Sequence, residues 1–395
     1  MSQPRQIADP SPQPPHWALW QLGFRPFYLA ASSFAALSVG LWTAQHAGWL
    51  DQAYLAGAVW HAHEMLFGFA LAVVVGFLLT AGQNWAGRPT ASGPRLKALV
   101  LLWLAGRVLV LSPFSWAAAI VNVAFPLAAA LALALPFIAA GNRRNYFFIA
   151  LLVVMSMTSG AVHLAQLDML RMPDWLGIRV GLDIVLFIIA VMAGRVIPMF
   201  TNNGVASAGA TRHTAIEKLA LGAVLVLLAA DCLQLQGAPM IAVTAIAACA
   251  HAARLALWRP WKTWRVPIVW VLHAAYLWIP PHLALRALAE AGWVAAHLAT
   301  HALSVGAIGG MTIGMMTRTA RGHTGRPLAA DRWEVACYLL ILGAALVRVA
   351  LPLAAPAHYL LSVRASGLLW CAGFALYAIR YWPVLTRARL DGKPG

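Results

Sequence analysis

The sequence predicts an all-α fold, a polytopic membrane bundle of about twelve transmembrane helices with both termini cytoplasmic. Three observations predict it. Of the 395 residues 62% are hydrophobic and only 10% charged, against roughly 25% charged in an ordinary soluble domain. The apolar residues fall in blocks of roughly 17–25, the length that crosses the hydrocarbon core. Lys and Arg stand between those blocks, in alternating connections, as the positive-inside rule requires. A soluble chain could not hide this much apolar surface without large exposed patches.

Residues 1–26 read as a polar, Pro-rich tail without the apolar core of a cleavable signal, so the first apolar block is expected to be a retained span. Spans are then predicted at 27–46, 58–81, 96–112, 116–140, 145–166 and 177–200. Six more follow at 214–234, 239–257, 266–288, 292–317, 333–353 and 357–381. Residues 382–395 form a second tail. Every connection is short, so 27–381 reads as one membrane domain. The eighteen Trp residues fit it, since Trp collects at membrane interfaces.

Assigning each Lys and Arg to its nearer face puts 22 of the 28 on the side of the N-terminus, Arg5 and Lys393 among them. The other six are Arg107, Arg171, Arg179, Arg286, Arg348 and Arg364. The net charge of +16 is therefore spread over loops rather than gathered in a patch or arm, which excludes a nucleic-acid partner. Cys232, Cys249, Cys337 and Cys371 lie in apolar blocks without CxxC spacing and read as buried, inert thiols. No GxGxxG after a strand, Walker loop or Ser-His-Asp order supports nucleotide chemistry or hydrolysis.

One internal resemblance stands out. HAHEMLFGFALAV leads to NWAGRP in the second span, and HALSVGAIGGM leads to RGHTGRP in the tenth. Membrane sites often lie at repeat interfaces, although chance would explain a match this short.

Ionisable residues inside spans are costly and mark function by default. Topology places His61, His63, His163, His282, His297 and His301 in one outer slab, with Glu64 beside them and His273 deeper. Imidazole is the commonest ligand for Zn, Cu and haem iron. His297 and His301, four apart, share one helix face, as do His61 and Glu64, three apart. His61 and His63 point apart, so one metal is not expected to take both. Interhelical hydrogen bonds would account for any one of these His residues singly. Gly68, Gly76, Gly306, Gly309, Gly310 and Gly314 offer a flat slot for haem, and ordinary small-residue packing would give the same faces. Met311, Met315 and Met316 are soft enough for Cu(I) but read as packing. Arg195 and Asp183 share the sixth span, as a proton-moving pair, a salt bridge or, for Arg195, a propionate clamp. Pro198 is expected to disrupt that helix. The loop with Arg318, Arg321, His323 and Arg326 reads as a positive anchor with a defined turn.

Four segments, LGFRPFYLAA at 22–31, WHAHEMLFGFALAVVVGFLLTA at 60–81, GRVIPMFTNN at 194–203 and HALSVGAIGGMTIGMMTRTARGHTGRPL at 301–328, resemble the NnrS family of bacterial inner-membrane proteins. The likeness extends over nearly the whole chain. It implies haem b, in one or two copies, with copper as a second metal, and a role with nitric oxide in denitrification or nitrosative stress. By motif it carries cofactor binding to His61, His63, Arg195, His301, His323 and Arg326, with His163 and His273 at family-like positions and Glu64 as the catalytic proton relay of a nitric oxide reductase. His297 and His282 belong to no family motif. Metal ligation is expected among His61, His63, His163, His273, His297 and His301, with a quinol or cytochrome as electron donor, nitric oxide as ligand and membrane lipid as surroundings. A copper or small-solute transporter and an assembly factor for a respiratory complex are the rival readings.

Overall fold

A computed structural model describes residues 17–392 apart from 47, 50–53, 56 and 174. Arg5, Lys393 and the first sixteen residues of the expected tail lie outside the described residues. The described chain is helical throughout, in twelve columns: α1 Phe24–His46, α2 Gly57–Ala86, α3 Gly93–Leu109, α4 Ser115–Ala139, α5 Tyr146–Gln166, α6 Leu176–Gly204, α7 Thr214–Cys232, α8 Ala238–Leu257, α9 Pro267–Glu290, α10 Ala296–His323, α11 Arg332–Ala354 and α12 Tyr359–Thr386. Ten are long and apolar enough to cross a membrane, which makes this an integral multi-pass membrane protein. The other two stand where spans were expected. However, α3 is 17 residues long and carries Arg95, Lys97 and Arg107, and α7 carries Glu217, Lys218 and Asp231.

Both ends of the described chain meet at one end of the bundle, as an even number of crossings requires. Trp17 bridges Arg387, and the Ala18 N–H donates to the Thr386 carbonyl at 2.8 Å. Arg25, fully buried, fastens this closure by donating to the carbonyls of Leu385 (3.1 Å) and Arg387 (2.8 Å). The 22–31 segment thus staples the start of the fold to its end. Leu19 and Leu22 already belong to the core, so the tail is shorter than expected.

Prolines do less and more than the sequence implied. α6 runs straight through Pro198 to Gly204 rather than stopping near 200. A proline frees the carbonyl four residues back, and that residue here is Gly194, which has no side chain to crowd the adjusted turn. In α9, Pro280 and Pro281 remove two N–H donors in succession, and the helix breaks into Pro267–Tyr276 and Ile279–Glu290.

The internal resemblance is structural, in a register offset by 238 residues that sets His63 on His301. Each of these His residues precedes a π-helical stretch, Glu64–Ala70 in α2 and Ala302–Gly309 in α10. In this register Gly68 falls on Gly306, Gly76 on Gly314, and Gly87-Arg88-Pro89 on Gly325-Arg326-Pro327. A Cβ on Gly76 would meet the Phe27 Cβ of α1 at 2.7 Å, and one on Gly314 would meet Leu272 Cδ2 of α9 at 2.8 Å. Gly87 and Gly325 both turn the chain in the left-handed region, at φ +61 and +70, where a side chain is strained. The unit extends to the next helix, where each copy buries one arginine, Arg107 on α3 and Arg348 on α11.

α11 starts with a capping box. Asp331 accepts from the Trp333 and Glu334 N–H groups, and the Glu334 carboxylate accepts from the Asp331 N–H at 2.7 Å. Burial alone would push the Asp331 carboxyl up. The Arg380 hydrogen bond and the two backbone N–H groups outweigh it and hold the group below its usual value. Asp331→Ala is expected to cost about 1 kcal/mol, read as a lowered thermal midpoint in detergent. Because the folded pKa is depressed, this contribution is complete above about pH 4, the ordinary aspartate value, and is lost as the pH falls below it. The wild-type and variant midpoints should therefore converge in acid.

Candidate cofactor and metal sites

Two cavities lie along the same three helices, α2, α6 and α10, at opposite ends. The first, of about 490 Å³, is lined by His61, His297, His301 and Arg348 among apolar residues such as Met65, Phe69 and Trp370, a size and composition usual for a small-molecule site. The His301 Nδ1 lies 2.7 Å from the His297 carbonyl. A carbonyl only accepts, so Nδ1 carries the hydrogen and Nε2 keeps its lone pair. That is how a ligating imidazole is usually oriented. His297 Nε2 and His61 Nδ1 are buried without a partner, and His61 packs on Trp42 with ring centres 4.6 Å apart. Arg348, 6% exposed, donates to the Tyr359 hydroxyl at 3.2 Å, while its Nη1 is buried with no acceptor.

Glu64 does not share a face with His61. It is fully buried away from the cavity that His61 lines, where His63 Nδ1 meets Oε1 at 2.8 Å and Arg107 Nη1 donates to the same oxygen at 2.5 Å. Arg107 Nη2 also donates to Asn122 Oδ1. With Oε1 accepting from Arg107, His63 Nδ1 is the donor and Nε2 holds the lone pair. The His163 ring lies 4.8 Å from that of His63, edge to face, with its Nδ1 3.1 Å from the Tyr54 hydroxyl. Burial pushes the Tyr54 phenol up to about 12, so it stays protonated. Both Nε2 atoms, of His63 and of His163, are buried without a partner. His61 and His63 do point apart, as expected, one to the cavity and one to this pair.

The remaining expected residues separate. His273 lines neither cavity. Thr201 spends its hydroxyl hydrogen on the Ile197 carbonyl (2.7 Å) and accepts from His273 Nε2 (2.8 Å). His282 Nδ1 donates to the Ala299 carbonyl at 2.8 Å. Arg195 and His323 line the second cavity, at the end where the described termini meet. Arg326 stands beyond it, half-buried, its pKa lowered by burial and by neighbouring Arg321. Asp183 and Arg195 do not pair, since twelve residues put them roughly 18 Å apart along α6. Asp183 instead accepts from Arg286 at 3.3 Å, and Arg286 also clasps Asp231 at 2.8 Å. Among the described residues no group of three or more His, Cys, Asp or Glu could hold one metal ion. The six expected His ligands are therefore not a single centre. Cys232 and Cys249 are exposed on the bundle surface rather than buried, and all four cysteines are free.

Several residues that shape these sites carried no motif signal. Arg107 and Arg348 read only as outer-face charges, yet each sits inside an apolar block, where an ionisable group is costly. His251, fully buried, bonds Tyr276 at 2.6 Å. Arg254 grips both Glu217 oxygens at 2.9 and 2.6 Å and the Tyr276 hydroxyl at 3.0 Å. Gly194 leaves room for that clamp, as a Cβ there would lie 2.8 Å from Glu217 Oε2.

A family model described as NnrS protein matches residues 18–389. The chain belongs to the NnrS family. No curated protein matches it. All four motif segments of this NnrS protein lie within the matched range. The 22–31 segment closes the bundle, 60–81 and 301–328 are the repeated π-helical columns, and 194–203 serves α6. In the last of these, Asn202 also pins the following loop through two 2.9 Å bonds to Ala210.

Proposed function

We propose that this NnrS protein binds haem b in the first cavity and takes nitric oxide there, as part of a nitrosative-stress or denitrification response in the bacterial inner membrane. The observation that carries it is His301, whose Nδ1 is fixed by the His297 carbonyl and whose Nε2 is left for a ligand in a cavity walled by apolar side chains. The fit to haem rests on two further orphaned groups. Arg348 Nη1, buried without an acceptor, suits a propionate carboxylate, and His61 or His297 offers a second ring nitrogen. Haem, when bound, supplies an iron with a position for a diatomic ligand. The protein's part is to orient His301, to neutralise a carboxylate with Arg348, which Tyr359 holds, and to exclude water. Nitric oxide is neutral and lipid-soluble, so it needs no polar entry path.

Copper would suit the His63–His163 pair, whose rings lie 4.8 Å apart, edge to face, and whose Nε2 atoms are both buried without a partner. Two such ligands suit a low-coordinate cuprous ion better than a tetrahedral one. Reduction of two nitric oxide molecules to nitrous oxide and water would consume two electrons and two protons. Glu64 would serve such a proton path only through His63, since its other partner, Arg107, keeps its proton. A quinol or cytochrome would supply the electrons.

Optical spectra of detergent-purified protein, oxidised and dithionite-reduced, with and without nitric oxide, test the reading, alongside pyridine haemochrome and metal analysis. A stoichiometric b-type spectrum that shifts with nitric oxide is expected. A colourless preparation from haem-replete cells, unchanged by nitric oxide, would overturn it and favour a metal permease.

A further inference from the structure

The second cavity, of about 580 Å³, is framed by the far ends of α2, α6 and α10. Arg195, Arg318 and His323 line it, and no Asp or Glu does. Arg318 is 8% exposed and finds no hydrogen-bond acceptor or carboxylate among the described residues; its guanidinium rests on the Phe200 ring, 3.7 Å from the centre. Arg195 bonds one neutral acceptor, Asn145 Oδ1, at 3.1 Å, and stacks near Trp85, Phe147 and Phe148. A buried guanidinium without a counterion is costly. Arg318 is such a group, and half-buried Arg195 adds a second positive charge at the same cavity, so the pair calls for an anion from outside the chain. The rest of the wall includes Phe77, Met199 and Met315, which suits an apolar body attached to that anion.

We infer that this cavity binds the phosphate headgroup of an anionic membrane lipid, with Arg195 and Arg318 on the phosphate oxygens and the acyl chains against the aromatic and Met wall. Arginine fits phosphate in two-pronged fashion. Basic pockets between membrane helices take such headgroups. The cavity shares α2, α6 and α10 with the proposed haem site but none of its lining, so the two assignments stand or fall separately.

Native mass spectrometry of the full-length protein in a neutral detergent tests this, with dioleoyl phosphatidylglycerol and dioleoyl phosphatidylcholine added in equal amounts. One phosphatidylglycerol is expected to remain bound, preferred at least fivefold. Arg318→Gln and Arg195→Gln should each cut that preference roughly fivefold, and Arg318→Lys should keep part of it. The wild-type measurement needs no variant to fold. Equal retention of the two lipids by the wild type would overturn the inference, as would a preference untouched by both glutamine variants. Displacement of the lipid by millimolar inorganic phosphate would overturn it in favour of a soluble-anion site. Loss of haem from the glutamine variants with lipid binding intact would overturn it by assigning the arginines to propionates.

Discussion

Replacing His301 with Ala should leave the protein folded in detergent but with less than about one-tenth of the wild-type haem, measured by pyridine haemochrome on protein normalised by mass. Removing a metal ligand does more than disturb its hydrogen-bonded support, and even the support is worth about 10–100-fold in affinity. His301 is the residue whose loss should tell. It is the cavity imidazole with its other nitrogen tied to a carbonyl, so the ring is set before anything binds. His61→Ala and His297→Ala separate the second position, since their ring nitrogens are buried and unpartnered at the same cavity. Whichever of the two would meet the bound haem or its diatomic ligand should shift the spectrum while retaining haem. His273→Ala is the control, because its Nε2 is committed to Thr201 and it lines neither cavity. Full haem in His301→Ala, with loss in His273→Ala, would move the site to α9.

Most of the spans were legible because apolar length and the spacing of charges report depth in a membrane. Azimuth was less legible. A His at a given depth faces one neighbour or another according to helix rotation, and a π-helical stretch changes that rotation within a few residues. Glu64 is a case of hidden azimuth: counted three from His61 it should share a face, yet its carboxylate meets His63 and Arg107 rather than the cavity that His61 lines. Likewise the repeat was visible as His-Ala and Gly-Arg-Pro. Its true register, His63 on His301, needed the positions of the π-helical stretches and glycines. Arg107 and Arg348 were counted only as charges of the outer face, although both are buried in the bundle.

That register explains why two copies of one unit serve different ends. The copy on α2 and α3 carries its own anion. Glu64 answers Arg107 within the same buried cluster, and Asn122 takes the second arm of the guanidinium. In the copy on α10 and α11 the residue in the place of Glu64 is Ala302, so among the described residues Arg348 donates only to the Tyr359 hydroxyl, and the space beside it is the haem-sized cavity. The consequence is measurable. Glu64→Ala should lower stability by about 3–5 kcal/mol, the cost of leaving a buried charge without its partner, seen as a large drop in thermal midpoint even for protein without haem. Replacing both members, Glu64→Leu with Arg107→Met, should restore much of that loss, since a buried pair exchanged for apolar residues of similar volume is often neutral. Arg348→Gln should behave oppositely. Without haem its midpoint should equal or exceed that of the wild type, because an uncompensated cation is removed, and its haem affinity should fall about tenfold or more. Equal destabilisation by Glu64→Ala and Arg348→Gln in the haem-free protein would mean that Arg348 already has a protein anion, and would remove the reason to place a carboxylate-bearing cofactor beside it.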